Sequence, residues 1–174
     1  SSKNRWVSYY SFVPEFYSRL RNEIVMFKDG HLWLGEASST YNNFFGVQYV
    51  SQIKPIVNQN GDKSKVFKQI ELSPGDSSSP ADCWYSPLIK CPATVRRPNG
   101  FESELKLTHF KNVYGQWHAE IRRNKLSPDF ASQLEAFING DFMQGEYCEL
   151  LLENNSTVKI SLFSIEVKYI FVNL

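Results

Sequence analysis

The side chains most able to do chemistry are three histidines, His31, His109 and His118, and three cysteines, Cys83, Cys91 and Cys148. A metal centre needs imidazoles or thiolates that converge on one point. A cysteine nucleophile needs a thiolate beside a base. His109 and His118 flank one expected hairpin, but the register derived below sets them on opposite faces, where they cannot share an ion. Cys148 falls in mid-strand on the expected core face and reads as a buried, inert thiol. Cys83 and Cys91, eight positions apart in a Pro-rich stretch, are close enough to pair. The odd total argues against a complete disulfide framework, and three unpaired thiols of a cytosolically assembled protein is the plainer reading. Asp129, Glu135 and Asp141 sit in turn and cap surroundings. No G-x-S-x-G, H-E-x-x-H, phosphate loop or dinucleotide fingerprint occurs. The reading is therefore of a protein that is not an enzyme, with no catalytic residue, metal or cofactor.

The remaining candidates are cationic and aromatic. Two basic doublets, Arg96-Arg97 and Arg122-Arg123, would need stacking aromatics to make a nucleic-acid surface. On the expected register Glu104 and Glu120 neutralise this face, so no specific nucleic-acid site is expected. Nineteen basic against eighteen acidic residues give a net charge of +1, too little to attract polyanions over distance. The tryptophans are Trp6, Trp33, Trp84 and Trp117. Core or interface packing is their expected use. Trp84 stands apart, because it lies beside Tyr85 in a Pro- and Ser-rich stretch. Exposed, that pair would form a sugar-stacking platform for a bacterial surface glycan, the rival to a structural reading.

These residues must be positioned by strands. The dominant hydrophobic period is two, and roughly ten strand candidates can be counted. Asp29-Gly30 separates "EIVMF" from "HLWL" as a hairpin turn. Residues 102–110 and 116–123 pair best with Phe110 opposite Gln116. That sets Leu107 against Ala119 and Leu105 against Ile121, with Lys106 facing Glu120 and Glu104 facing Arg122 on the other side. A loop at 154–156 would set Leu152 against Val158, Leu150 against Ile160 and Cys148 against Leu162. The alternation in "VKISLFSIEVKYIF" slips between Leu162 and Phe163, which a β-bulge or a change of sheet would repair. Residues 73–92 read as a loop excursion. Residues 127–138 read as a short helix capped by Ser127, with Pro128 at its first position. The expected fold is all-β: a two-sheet antiparallel sandwich with jelly-roll or Greek-key connections, ahead of a β-propeller segment and a closed barrel. Residues 1–174 are taken as a single β domain cut from a longer chain, since "SSKNRW" carries neither an initiator methionine nor an apolar leader core. No run approaches the ~18 apolar residues of a membrane span.

One element resists this scheme. Val25, Met26, Phe27, Leu32, Trp33 and Leu34 make the Asp29-Gly30 hairpin apolar on both faces. Such a pair suits a position covered from both sides, by its own core or by neighbouring copies. The ordered segments "WVSYYSFVPEFYSRLRNEIVMFKDGHLWL", "NNFFG", "KVFKQIEL", "FKNVYGQWHAEIRR" and "NGDFMQGEYCELLL" resemble a block in large virion proteins of crAss-like bacteriophages. The likeness spans about residues 5 to 172. The family pattern often has His-Asn after its Leu-Trp hairpin, where this chain has Gly35-Glu36. The resemblance implies a tail stabilisation or muzzle (nozzle-like) protein, located in the virion and assembled in the bacterial host cytoplasm. Its partners would be other copies of itself and other tail proteins in a multi-subunit ring for genome exit. It offers no catalytic residues to carry over. The residues expected to pack core or interface are Trp6, Phe12, Phe27, Trp33, Phe44, Phe45 and Trp117.

Overall fold

The computed structural model describes residues 9–35, 39–75, 83–95, 97–127 and 129–172. Its contacts divide the chain into two compact units, Ser1–Tyr49 and Val50–Leu174.

The smaller unit holds an antiparallel meander of β1 (Phe16–Leu20), β2 (Glu23–Lys28) and β3 (His31–Leu34), and a hairpin of β4 (Asn43–Phe44) and β5 (Val47–Gln48). Asp29 and Gly30 adopt φ of 51° and 74°, and Lys28 pairs with His31. Two successive positive φ values are what a two-residue type I′ turn requires, so the Asp-Gly signal is read correctly. Across the sheet, Phe16, Phe27 and Leu32 form one row and Ser18, Val25 and Leu34 the next row on the same face. The first row is exposed, Phe16 at 60%, Phe27 at 42% and Leu32 at 64%, whereas Val25 in the second is buried. The expectation that the hairpin is covered on both faces therefore fails for this chain by itself. β4 and β5, at two residues each, are too short to form a second layer, and they engage the Trp33 face instead.

The larger unit is a sandwich of two five-stranded antiparallel sheets. Its elements are β6 (Ser51–Ile53), β7 (Ile56–Val57), β8 (Lys65–Pro74), β9 (Tyr85–Cys91), β10 (Phe101–Leu105), β11 (Lys111–Val113), β12 (Gln116–Glu120), α1 (Gln133–Asn139), β13 (Gln144–Gly145), β14 (Cys148–Asn154) and β15 (Leu162–Phe171). One sheet runs β10-β9-β14-β6, with β7 also on β14; the other runs β11-β12-β8-β13, with β15 also on β8. Chain order nests the long pairs: β8 with β15 in one sheet, β9 with β14 in the other. Ile89, Leu105, Leu150 and Leu152 from the first sheet share a buried core with Phe67, Ile70, Leu72 and Trp117 from the second.

Several expected pairings are corrected. β10 pairs β9, not residues 116–123, and β12 pairs β11 and β8. β14 pairs β6, β7 and β9, while β15 pairs β8, so no hairpin joins 147–154 to 158–163. β9 lies inside the stretch read as a loop excursion. Its ladders to both neighbours slip one residue around Pro87, which therefore sits in a bulge, where a missing N–H is tolerated in a central strand. The helix starts later than expected: Ser132, not Ser127, caps it by accepting from Glu135 N–H. Ser127 instead donates to Asp141 at 3.3 Å, and Pro128 lies outside the described residues. The slip at Leu162–Phe163 is a bulge against β8. It turns Leu162, Ile165, Val167 and Tyr169 toward the core and leaves Phe163 exposed.

On the outer face of the second sheet, Glu71 lies between His118 and Glu166 in register, with Lys168 on the next outward row. The Lys168 ammonium hydrogen-bonds Glu71 and holds its carboxyl below the ordinary 4.5, against the opposing pull of burial. A carboxyl lowered by folding stabilises the fold above its unfolded pKa, and that stability is lost as pH falls through the lowered folded value. Thermal melts below pH 4.5 should therefore fall more steeply for the native chain than for Glu71→Gln. Parallel curves would show that this pair contributes nothing to acid stability.

Candidate functional site

The smaller unit gathers its aromatics into one cluster around the β4–β5 turn. Phe45 and Gly46 turn the chain with φ of 54° and 76°. A left-handed conformation costs a side-chain-bearing residue about 1–2 kcal/mol. The Phe45 ring offsets this by packing edge-on against Phe12 at 5.4 Å and Trp33 at 5.6 Å. Phe12 stacks on Phe44 at 4.1 Å, and Tyr10 closes over both at 5.0 and 5.8 Å. Trp33 is oriented by its indole N–H, which donates to the Lys28 carbonyl at 3.4 Å. A cavity of about 540 Å³ opens between Met26, Trp33, Tyr41 and Phe44. Among the described residues, no carboxylate, imidazole or thiol lines it. What such a wall can do is pack apolar groups and stack rings.

Of the residues expected to pack, Phe12, Trp33, Phe44 and Phe45 are brought together here. Phe27 stands apart on the open sheet face, beside Phe16 at 5.9 Å. Trp117 is buried in the core of the larger unit, and Trp6 lies outside the described residues. Tyr10 and Tyr49 also belong to the cluster and were missed. "YYSF" carried a signal for Tyr10, which shares the parity of Phe12 in an extended chain.

The glycan-stacking pair is corrected. Trp84 is 8% exposed and part of the core, because the chain entering β9 runs into the sandwich and not out over it. Tyr85 is half-buried, its hydroxyl donating to Glu153 at 3.1 Å. The histidines have separate partners: His109 Nδ1 accepts from Lys106 N–H at 3.1 Å, and His118 Nδ1 lies 3.1 Å from Glu71. Asp141 and Asp129 accept from Arg97 at 2.6 and 3.2 Å. Among the described residues, no three of His, Cys, Asp and Glu are grouped to hold a metal ion.

All three cysteines are free and buried. Burial pushes the Cys83 thiol up to about 12. Cys91 is also raised, by its hydrogen bond with Cys148 and by burial. Since the thiolate is the reactive form, a thiol reagent at neutral pH should label none of the three until the chain is unfolded. Rapid labelling of any of them in the native chain would contradict this packing.

The comparison with known families reads directly onto this layout. Residues 39–124, from just before the β4–β5 hairpin to just past β12, match the Crassvirus muzzle protein C-terminal domain. These residues carry a crAss-like phage muzzle domain. No curated protein matches the chain. The matched part of the muzzle domain includes "NNFFG", "KVFKQIEL" and "FKNVYGQWHAEIRR"; the Asp29-Gly30 hairpin and "NGDFMQGEYCELLL" fall outside it. A muzzle domain is a structural virion component, so the chain has a structural role in a phage and is implied to assemble with other virion proteins. No helix among the described residues is long and apolar enough to cross a membrane.

Proposed function

We propose that this chain is a joining element of a multi-subunit ring at the genome exit of a phage tail, assembled in the host cytoplasm from copies of itself and other tail proteins. One observation carries the reading: the three-stranded sheet presents Phe16, Phe27 and Leu32 in a single exposed row. Exposed apolar surface in contiguous rows marks protein contact sites. Symmetric rings repeat one such contact around an axis. The sandwich supplies the stiffness, with hydrogen-bonded sheets closed on a continuous core, and the open sheet supplies the adhesion. The ring is a mechanical part in this reading, and no reaction is required of it.

Cryo-EM of purified virions tests the proposal. The expected result is a ring at the tail exit in which the row of Phe16, Phe27 and Leu32 is covered by a neighbouring subunit. Absence of the polypeptide from the particle, or a ring in which this row faces solvent in every copy, would overturn it.

A further inference from the structure

We propose that a groove on the outer face of the larger unit is a binding site for a phosphate-class oxyanion, an inference independent of the ring assembly. The groove has a volume of about 460 Å³ and brings together Lys68, Arg122 and Arg123. The sequence suggested that Glu104 and Glu120 neutralise these arginines. Glu104 does not, lying 3.7 Å from Lys106, and Glu120, which faces Gln69 in register, lines the groove but offsets only one of its charges. Among the described residues, none of the three cations is ion-paired to a carboxylate.

The fold builds this convergence. The ladder of β8 with β15 skips Lys68, so the core-facing Phe67 and Ile70 are separated by two outward residues, Lys68 and Gln69. A bulge re-aims a side chain in this way. The Ile121 N–H donates to the Lys68 carbonyl at 2.8 Å, which brings Arg122 and Arg123 alongside the bulge. Phe142 then holds Lys68 Nζ at 3.6 Å and Arg123 Cζ at 3.9 Å from its ring centre. Arg122 Cζ lies 3.9 Å from the centre of the Phe137 ring. The chain packs closely where α1 ends: a Cβ on Gly140 would meet the Ala136 carbonyl, so only glycine fits there.

Ring faces orient these cations without neutralising them. Three positive groups and Glu120 line the groove, a surplus of two positive charges. Arg123 spends one N–H on the Gly140 carbonyl at 2.9 Å and keeps other donors. A carboxylate brings one negative charge, whereas a phosphoryl group brings up to two and several acceptor oxygens, the better match to cations arriving from different directions. The chemistry thus selects a phosphate. Its source is either free phosphate or the phosphodiester of a nucleic-acid strand.

The test is titration of the full-length chain with inorganic phosphate and with a short single-stranded oligonucleotide, read by calorimetry and thermal shift. Phosphate should raise the melting temperature of the native chain and leave a Lys68→Gln, Arg122→Gln, Arg123→Gln triple variant unmoved. Lys68→Arg should retain binding. Should the triple variant fail to fold, Lys68→Gln alone should weaken binding several-fold, since its side chain lies outside the core. If the source is a nucleic-acid strand, the oligonucleotide binds more tightly than phosphate. Its log affinity then falls with log salt at a slope of about −2 for three contacts, reduced by about 0.7 in Lys68→Gln. If the source is free phosphate, the oligonucleotide shows no such gain. No phosphate response in the native chain, an equal response in the variants, or tighter binding of a polyglutamate peptide than of either phosphate source would overturn the assignment.

Discussion

Phe67→Ala should lower the unfolding free energy of the larger unit by about 3–5 kcal/mol, the largest effect expected of any single substitution in its core. Phe67 is 1% exposed and sits on β8, which pairs with β12, β13 and β15. Its ring meets Tyr169 edge-on at 6.1 Å. Truncation removes the ring's burial and leaves a void beside the Lys68 bulge, where the strand is least free to collapse because ladders hold it on both edges. Domains of this kind are stable by about 5–15 kcal/mol, so the loss would remove a large share of the stability. Denaturant unfolding followed by tryptophan fluorescence measures it, since Trp84 and Trp117 are both buried in this core. Ile70→Val, at the same depth, should cost about 0.5–1.5 kcal/mol, and Val95→Ala, fully exposed, should stay within about 0.5 kcal/mol. Equal losses from all three would mean that the two sheets do not share one core.

The same strand shows what the sequence could and could not disclose. Period-two alternation announced a β protein, and Asp29-Gly30 announced its turn, because both signals are local and steric. The bulge at Phe163 was legible too, since a slip of parity in an otherwise regular strand has few physical remedies. Pairing partners were not legible. The register proposed for 102–110 with 116–123 satisfied every apolar and charged pair, yet β10 paired with β9, the strand before it, and β12 with β11 and the distant β8. β10 joined β9 because Phe101, Ser103 and Leu105 all turn inward there. β9 itself was hidden by Pro87, whose presence argues against a central strand unless a bulge on both ladders is foreseen. Trp84 looked exposed for the same reason, since it adjoins a strand that had been taken for a loop. The basic groove was invisible at the sequence level because its apparent neutralisation depended on the wrong register. The aromatic cluster fared better: Phe44 and Phe45 stood out as a doublet, although nothing local foretold that Phe45 would occupy the turn itself.

Leu32→Asp should abolish self-assembly of the chain while leaving the fold of both units intact. Leu32 lies on an outer strand of the three-stranded sheet and is 64% exposed, so an aspartate there remains hydrated in the isolated chain. In a ring that covers this row, the same carboxylate would be buried against Phe16 and Phe27 with no cation opposite it within the sheet. An unpaired charge forced into such a contact costs several kcal/mol, and each 1.4 kcal/mol is a tenfold loss of affinity. Association should therefore weaken by at least about a thousandfold. Leu32→Ala should weaken it far less, because it removes apolar area without stranding a charge. Analytical ultracentrifugation of the purified protein, with circular dichroism as the check on folding, separates the two variants. The contrast between them identifies the contact: a hydrophobic row tolerates a smaller side chain and rejects a charged one. Leu32→Asp assembling as tightly as the native chain would show that the adhesion lies elsewhere. The aromatic cluster around Phe45 would then be the next surface to substitute, since its rings and cavity are the other apolar surface of the smaller unit.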